Sequence, residues 1–126
     1  MTTQQMGTMT TQQVADRMKE LFNENRFDKV QDELFDSNCV SIEPEHSMAL
    51  KKAEGLNAIK EKGRQFNAMV EEMHDGYVSE FIVAGNFISC AMGMDVTMKG
   101  MGRMKMDEIA VYEVKNGKII LEQFFF

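Results

Sequence analysis

The stretch that decides the fold is Met106–Phe126, MDEIAVYEVKNGKIILEQFFF, near the end of a chain of 126 residues. It has two segments of strand-forming residues on either side of Asn116-Gly117. An Asn-Gly pair between apolar runs is typical of a two-residue hairpin turn, because both positions need a positive φ. The stretch also holds one acid, Glu108, among apolar residues. It either works in a pocket or pairs with a cation.

The segments before this hairpin also alternate apolar and polar residues with a period of two, which favours strands. We expect four long antiparallel strands in a meander, with Gly85-Asn86 as the first hairpin turn. The predicted strands are Tyr77–Ala84, Phe87–Lys99, Arg103–Lys115 and Lys118–Phe126.

The first part of the chain has helical spacing instead. Three helices are expected: one through Val14 and Phe22, a short one from Phe27 to Phe35, and a third from Leu56 to Met73. Between the second and third helices, Cys39–Ile42 is a predicted strand that Pro44 ends, and residues 45–54 are a predicted loop. The sequence therefore predicts an α+β domain with three N-terminal helices packed on one face of a mainly antiparallel sheet. We expect one domain over residues 11–126 and a disordered lead-in over residues 1–10.

Composition excludes several function classes. The net charge of −6 argues against nucleic acid and against anionic membrane surfaces, since both need clustered Lys and Arg. No apolar run of about 18 residues is present to span a bilayer, and the N-terminal residues lack the features of a signal peptide. Cys39 and Cys90 lie in apolar runs, so we expect buried, reduced thiols and a cytoplasmic protein. His46 and His74 have no metal-ligand spacing, and no cofactor motif is present, so neither a metal nor a cofactor is expected.

The strand from Phe87 to Lys99 indicates what each face of the sheet contacts. One face carries methionines, including Met92 and Met94, and the other is more polar. In the next strand neither face is purely polar. The convex side of the sheet is therefore expected to meet an apolar surface, and a second copy of the chain, forming a homodimer, is the economical partner.

Three stretches resemble the SnoaL-like domains of the nuclear transport factor 2-like, ketosteroid isomerase-like superfamily. They are EGLNAIKEKGRQF, EEMHDGYVSEFIVAGNFISCAMGMDVTMKG and RMKMDEIAVYEVKNGKIILEQFFF. The resemblance implies a cone-like fold, in which a strongly curved sheet and helices enclose a pocket, and a homodimer. It leaves function open, because this superfamily includes isomerases, cyclases, dehydratases and binding modules.

Carried over residue by residue, the resemblance gives a mixed result. Ketosteroid isomerases have a general-base Asp before a Pro at the end of the first strand, and here Glu43 precedes Pro44. The positions of their two oxyanion donors fall near Met18 and Ala110, which have no side-chain hydrogen bond to donate. Polyketide cyclases of the family use a late-strand Asp, for which Glu122 is the nearest acid. Ketosteroid isomerase chemistry is therefore disfavoured.

Several polar residues remain as candidates for a converging site, and each has a structural alternative. His74 suits acid/base work near neutral pH but could stabilise a helix C-terminus. Glu43 could be a solvated strand end, and Glu108 could either have a raised pKa by desolvation or pair with Arg103 or Lys105. The candidates are Glu43 and His74 for catalysis, and Glu108, Tyr112, Glu122, Met18, Met92, Met94 and Met106 for ligand binding.

Thirteen methionines are many for this length. A flexible Met lining suits an apolar ligand of irregular shape, although Met also fills cores, as Tyr112 does. Two hypotheses follow. The protein binds a small apolar molecule between sheet and helices, or it is a cofactor-free acid/base enzyme of isomerase, cyclase or dehydratase type that uses Glu43 and His74.

Overall fold

The computed structural model describes residues 8–126, which form three helices and seven strands. Residues 1–7 of the predicted lead-in lie outside the described residues. The elements in chain order are α1 (Thr11–Asn23), α2 (Phe27–Leu34), β1 (Phe35–Ile42), β2 (Lys52–Glu54), α3 (Leu56–Met69), β3 (Val70–Val78), β4 (Ile82–Ala84), β5 (Phe87–Met98), β6 (Gly102–Lys115) and β7 (Lys118–Phe125).

All seven strands belong to one sheet of order β2-β1-β7-β6-β5-β3, and β4 pairs with β5. The pairing of β1 with β7 is parallel, and the other pairs are antiparallel. Three helices on a mainly antiparallel sheet confirm the predicted α+β class. The parallel pair places the end of β1, and Glu43 after it, beside the last strand of the chain.

The start of α1 is fixed by a capping box. The backbone N–H of Gln13 donates to the side chain of Thr10 at 3.1 Å, and the backbone N–H of Thr10 donates to the side chain of Gln13 at 2.9 Å. Thr10 of the predicted lead-in therefore caps the first helix. None of the three helices within residues 8–126 is both long and apolar enough to cross a membrane.

The predicted end of the third helix is wrong. The helix ends at Met69, and Val70–Val78 is strand β3, antiparallel to β5. Met69, Val70 and Met73 have helical spacing, but pairing with β5 overrides this local pattern. His74 consequently lies within a strand and not at a helix C-terminus.

Two other predicted boundaries are corrected by strand pairing. β1 begins at Phe35, which had been placed in the second helix, and Lys52–Glu54 of the predicted loop pairs with β1 as β2. The predicted strand Tyr77–Ala84 is divided between the end of β3 and the short β4.

The core lies between the helices and the face of the sheet that they cover, which we call the helix-side face. Val14, Met18 and Leu21 of α1 are at most 1% exposed and pack with sheet residues. Cys39 and Cys90 are buried and unpaired, which confirms the prediction for the thiols. The sheet residues in this core are Phe35, Cys39, Ala53, Ile88, Cys90, Ala110, Tyr112, Val114 and Ile119.

Candidate functional site

Polar side chains lie in a row across three strands of the helix-side face. Ser41 of β1 is opposite Glu122 of β7, and Glu122 is opposite Tyr112 of β6. Directly opposed residues share one face of a sheet, so the three side chains are neighbours. Their exposed fractions are 0% for Ser41, 7% for Glu122 and 4% for Tyr112. The sheet therefore buries a carboxyl group and two hydroxyl groups at one level.

Helix α3 supplies the cation of this region. The Nζ atom of Lys62 donates to Ser41 Oγ at 2.6 Å and to Glu43 Oε2 at 2.9 Å. It also lies 5.4 Å from the centroid of the Phe124 ring. The side chains of Lys62 and Glu43 are only 11% and 12% exposed, so this ion pair is largely desolvated. Gly55 begins α3, and its N–H donates to Cys39 O at 2.8 Å, which ties the start of the helix to β1.

Glu43 is held on both of its carboxylate oxygens. Lys62 binds Oε2, and the hydroxyl of Ser47 donates to Oε1 at 3.2 Å. The backbone N–H of Glu43 donates to Lys51 O at 2.8 Å, which closes the loop after β1. Glu43 is therefore an ion-paired residue that anchors α3 and this loop, and not a solvated strand end.

Glu108 is a partly buried carboxyl group whose surroundings raise its pKa. It lies on β6 opposite Met92, on the helix-side face, and is partly buried. Burial, and to a smaller extent the charges of Glu43 and Glu122, raise its pKa to about 7, which Lys62 offsets only in part. Arg103, one of its expected partners, binds Asp95 instead. Glu108 can therefore take up or release a proton near neutral pH.

The two most buried titratable groups in the row also favour their neutral forms. Burial raises the pKa of Glu122, while Lys62 and Ser41 lower it in part. Burial, followed by the charge of Glu122, raises the pKa of Tyr112 well above its usual value. We call the following set the polar cluster: Ser41, Glu43, Lys62, Glu108, Tyr112 and Glu122.

His74 is not brought together with the polar cluster. Its Nε2 atom is 2.7 Å from Thr97 Oγ1, and its Nδ1 atom is 3.5 Å from a carboxylate oxygen of Glu72. Thr97 lies between the buried Val96 and Met98 of β5, so it points to the opposite side of the sheet, which we call the outer face. Glu43 and His74 thus lie on opposite faces, and no acid/base pair is formed between them.

The predicted methionine lining is divided. Met92, Met94 and Met106 are partly buried on the helix-side face, where Met92 is opposite Glu108 and Met94 is opposite Met106. Met18 is 0% exposed and packs in the core. Three of the four predicted methionines therefore surround Glu108, and the fourth is a core residue.

A surface depression of about 420 Å³ lies apart from the polar cluster. It is lined by Met9–Thr11, by Asn86 and by residues 113–117 of the β6–β7 hairpin. Its charged side chains, Glu113 and Lys115, form no ion pair within residues 8–126. Within the same residues, no three His, Cys, Asp or Glu side chains are grouped so as to hold a metal ion. The polar cluster is the better candidate site, because it alone combines buried polar groups with a titratable, partly exposed acid.

Comparison with known proteins identifies the family. A family model described as a SnoaL-like domain matches residues 9–126. The chain belongs to the SnoaL-like family. Among curated protein sequences, none is similar enough to count as a match.

Solved structures share the fold of this SnoaL-like domain. A Mesorhizobium loti protein, provisionally named a SnoaL-like polyketide cyclase, is 28% identical over 94% of this chain and 100% of that chain, with a TM-score of 0.86. A Xanthomonas campestris protein of unknown function with a cystatin-like fold is 11% identical over 93% of this chain and 90% of that chain, with a TM-score of 0.75. A Catenulispora acidiphila protein with a ketosteroid isomerase-like fold, in complex with trimethylamine, is 15% identical over 77% of this chain and 72% of that chain, with a TM-score of 0.64. The last two show similarity of fold alone.

Sequence reasoning missed two members of the polar cluster, Ser41 and Lys62. A signal for each is present in retrospect. Ser41 alternates with the buried Cys39, and Lys62 follows the buried Ile59 by three residues on the apolar stripe of α3. A lysine within such a stripe must find a buried partner, and Glu43 is that partner.

Proposed function

We propose that this SnoaL-like domain binds a small, mainly apolar molecule on the helix-side face, with Glu108 at the polar end of the site. The observation that carries the proposal is Glu108 itself. It is partly buried, has a pKa of about 7 and forms no ion pair within residues 8–126, although the polar cluster to which it belongs contains Lys62. An acid in such a position is typical of a functional site.

The surroundings of Glu108 support an apolar ligand. Met92, Met94 and Met106 flank it and keep part of their surface open, and Val78, opposite Met92, is 37% exposed. A ligand that covers these side chains would bury apolar area next to a single titratable group, which is the usual composition of a small-molecule site. The trimethylamine complex of the Catenulispora acidiphila neighbour supports small-molecule binding by the fold.

Methionine methyl NMR tests this proposal. Protein labelled with ¹³C at the Met methyl groups is titrated with a panel of small aromatic and alicyclic compounds. The expected result is saturable shifts of the methyl signals of Met92, Met94 and Met106. Met101, 43% exposed in the β5–β6 turn, serves as the control that should not shift. Shifts limited to Met101 and other surface methyls would overturn the proposal, as would a panel that moves no signal.

An acid/base enzyme of isomerase, cyclase or dehydratase type is the second candidate, and the pKa of Glu108 near neutrality favours it. Glu108, rather than the pair of Glu43 and His74, would then transfer the proton. Glu43 is held by Lys62 and Ser47, and His74 lies on the outer face. The provisional name of the Mesorhizobium loti structure also supports this class.

Deuterium exchange tests the enzymatic candidate. A ketone such as 2-tetralone is incubated with the protein in D₂O, and exchange at the carbon beside the carbonyl group is followed by NMR. We expect exchange above the buffer rate that is lost in Glu108→Gln and retained in His74→Ala. Equal rates with and without protein, or equal loss in both variants, would contradict a proton-transfer role for Glu108.

We also propose a homodimer that forms through the outer face. Apolar side chains are exposed there in adjacent strands: Ile82 is 69%, Ile109 is 44% and Phe125 is 49% exposed. Ile109 is directly opposite Phe125, and the exposed Phe87 lies on the same face. Exposed apolar side chains gathered on one face of a sheet are characteristic of an interface. Sedimentation velocity should give a dimer for the wild type and a monomer for Ile109→Lys. Leu50→Lys, at a 56% exposed loop position, should leave the dimer intact, and a monomeric wild type would refute the interface.

Two broader expectations remain proposals. The first is a single domain over residues 11–126. The second is a cytoplasmic location, which the two free, buried thiols support. Fractionation with a tagged chain tests the location, and a secreted product would contradict it.

A further inference from the structure

The polar cluster contains more carboxyl groups than cations. It contains three carboxyl groups, those of Glu43, Glu108 and Glu122, and a single ammonium group, that of Lys62. Lys62 already donates to Glu43 and Ser41. An anionic ligand would therefore lie close to the carboxyl groups of Glu108 and Glu122, while the ammonium group of Lys62 is already bound to other residues. Like charges in a partly desolvated site disfavour each other, so a carboxylate or phosphate is a poor ligand here.

A second observation, independent of the carboxyl groups, indicates an unfilled position for a polar ligand atom. Tyr112 is 4% exposed, and its hydroxyl group has no hydrogen-bond partner within residues 8–126. It lies near both Glu122 and Glu108, whose charges act on it. A buried hydroxyl without a partner costs free energy, and a ligand group that donates a hydrogen bond to its oxygen would recover part of this cost.

We propose that the site selects a protonated amine, whose apolar body contacts Met92 and Met106 and whose ammonium group binds the Glu108 carboxylate and donates to the Tyr112 hydroxyl. This inference rests on the proposed function, because it concerns the same site. It specifies the ligand class as a primary amine on a compact aryl or alkyl group. The ammonium group supplies both the positive charge that the cluster lacks and the donors that its oxygens accept.

The pH dependence of amine binding depends on every charged group that acts on Glu108. Glu43 after β1 and Glu122 on β7 raise its pKa, and Lys62 on α3 lowers it. Burial, together with the charge of Glu108, raises the pKa values of Cys90 on β5 and Tyr112 on β6. Both groups therefore stay neutral near pH 7. At the end of the sheet, the ring of His46 packs against that of Phe126 at 5.2 Å between centroids. Glu108 is therefore a group whose ionisation near neutrality changes the charge offered to the ligand.

The test compares three probes with one apolar body: benzylamine, benzyl alcohol and benzoate. Each is titrated into the full chain, and the Met92 and Met106 methyl signals are followed. We expect benzylamine to bind at least about tenfold more tightly than either other probe at pH 8, consistent with a charge-assisted contact. Its affinity should fall about tenfold between pH 8 and pH 6, because the ionised fraction of a group with a pKa of about 7 falls by that factor. In Glu108→Gln both the preference and the pH dependence should disappear, whereas Glu71→Gln, at an exposed acid of β3, should retain them.

The outcomes separate the two proposals. Equal binding of benzyl alcohol and benzylamine, with shifts at Met92 and Met106, would refute amine selection and leave the apolar site standing. Tighter binding of benzoate would also refute it. If none of the three probes shifts either methyl signal up to its solubility limit, both the site and its selectivity are overturned.

Discussion

Replacing Glu108 by Gln should stabilise the folded protein at pH 8 and have little effect at pH 5. In the folded protein, burial and neighbouring carboxylates raise the pKa of Glu108 from 4.5 to about 7. The folded state therefore holds the proton more tightly than the unfolded state does. Its stability falls as pH rises from 4.5 to about 7 and changes no further from this group above that range. Gln imitates the neutral acid and has no charge to desolvate.

The size of the effect follows from the difference between the two pKa values. A rise from 4.5 to about 7, at about 1.4 kcal/mol per pH unit, gives an upper estimate of about 3 kcal/mol at pH 8. Glu108 is only partly buried, so solvent screening reduces this to about 2 kcal/mol. At pH 5 the expected gain is less than about 1 kcal/mol, because only the unfolded state has begun to lose its proton.

Urea unfolding followed by circular dichroism, at a fixed protein concentration and at several pH values from 5 to 8, measures this difference. Glu71→Gln is the matched control, because Glu71 is an exposed acid on β3, and its free energy of unfolding should follow that of the wild type at each pH. The reasoning is refuted if Glu108→Gln destabilises the protein equally at both ends of the range. A carboxyl carbon of Glu108 that titrates near 4.5 by NMR would refute it directly.

Two further substitutions test one side-chain contact on each face of the sheet. Lys62→Met should destabilise the protein by about 3 kcal/mol, because Glu43 is left largely buried without its cation; adding Glu43→Gln should recover much of this loss in the same unfolding assay. Gly93→Ala should cost about 1–3 kcal/mol, because the added Cβ would meet the Tyr77 ring, which lies over Gly93 and whose hydroxyl donates to Asp107 Oδ1 at 2.8 Å. Combining it with Tyr77→Ala should remove the clash with the ring and release the Asp107 carboxylate, which the added Cβ also meets, to move away. An equal loss in both backgrounds would contradict the contact.

Local patterns were sufficient to predict the hairpin that closes the chain. Asn116 and Gly117 have φ values of 51° and 75°, as the Asn-Gly turn requires. The alternation in β6 correctly placed Glu108 and Tyr112 on one face, because β5 and β6 pair without a register shift. Periodicity works here because the strands are long and regular.

The errors come from features that local patterns do not encode. β3 has register shifts between Val70 and Glu72 and between Met73 and Asp75, so counting alternate residues could not give the side of the sheet on which His74 lies. Local patterns could not predict the partner of Glu43 either, because Lys62 contacts it from a helix whose position depends on tertiary packing. From the sequence alone, Glu43, Glu108, Tyr112 and Glu122 were candidates for the site, whereas Ser41 of β1 and Lys62 of α3 were not.

Three other acids of this chain are paired with cations, and the contrast supports a functional role for Glu108. Glu33 pairs with Arg17 at 2.6 Å, Glu43 with Lys62 at 2.9 Å, and Asp95 with Arg103 at 2.9 Å. A structural acid on β6 could be satisfied in the same way, yet Glu108 has no such cation within residues 8–126, and its raised pKa is expected to lower stability at neutral pH. Residues that reduce stability are typical of sites where function needs a charge that folding does not. A Glu108→Gln variant that is more stable at pH 8 and no longer binds benzylamine would support both the stability cost of Glu108 and its role in binding. A variant that is more stable but binds benzylamine unchanged would contradict the role in binding.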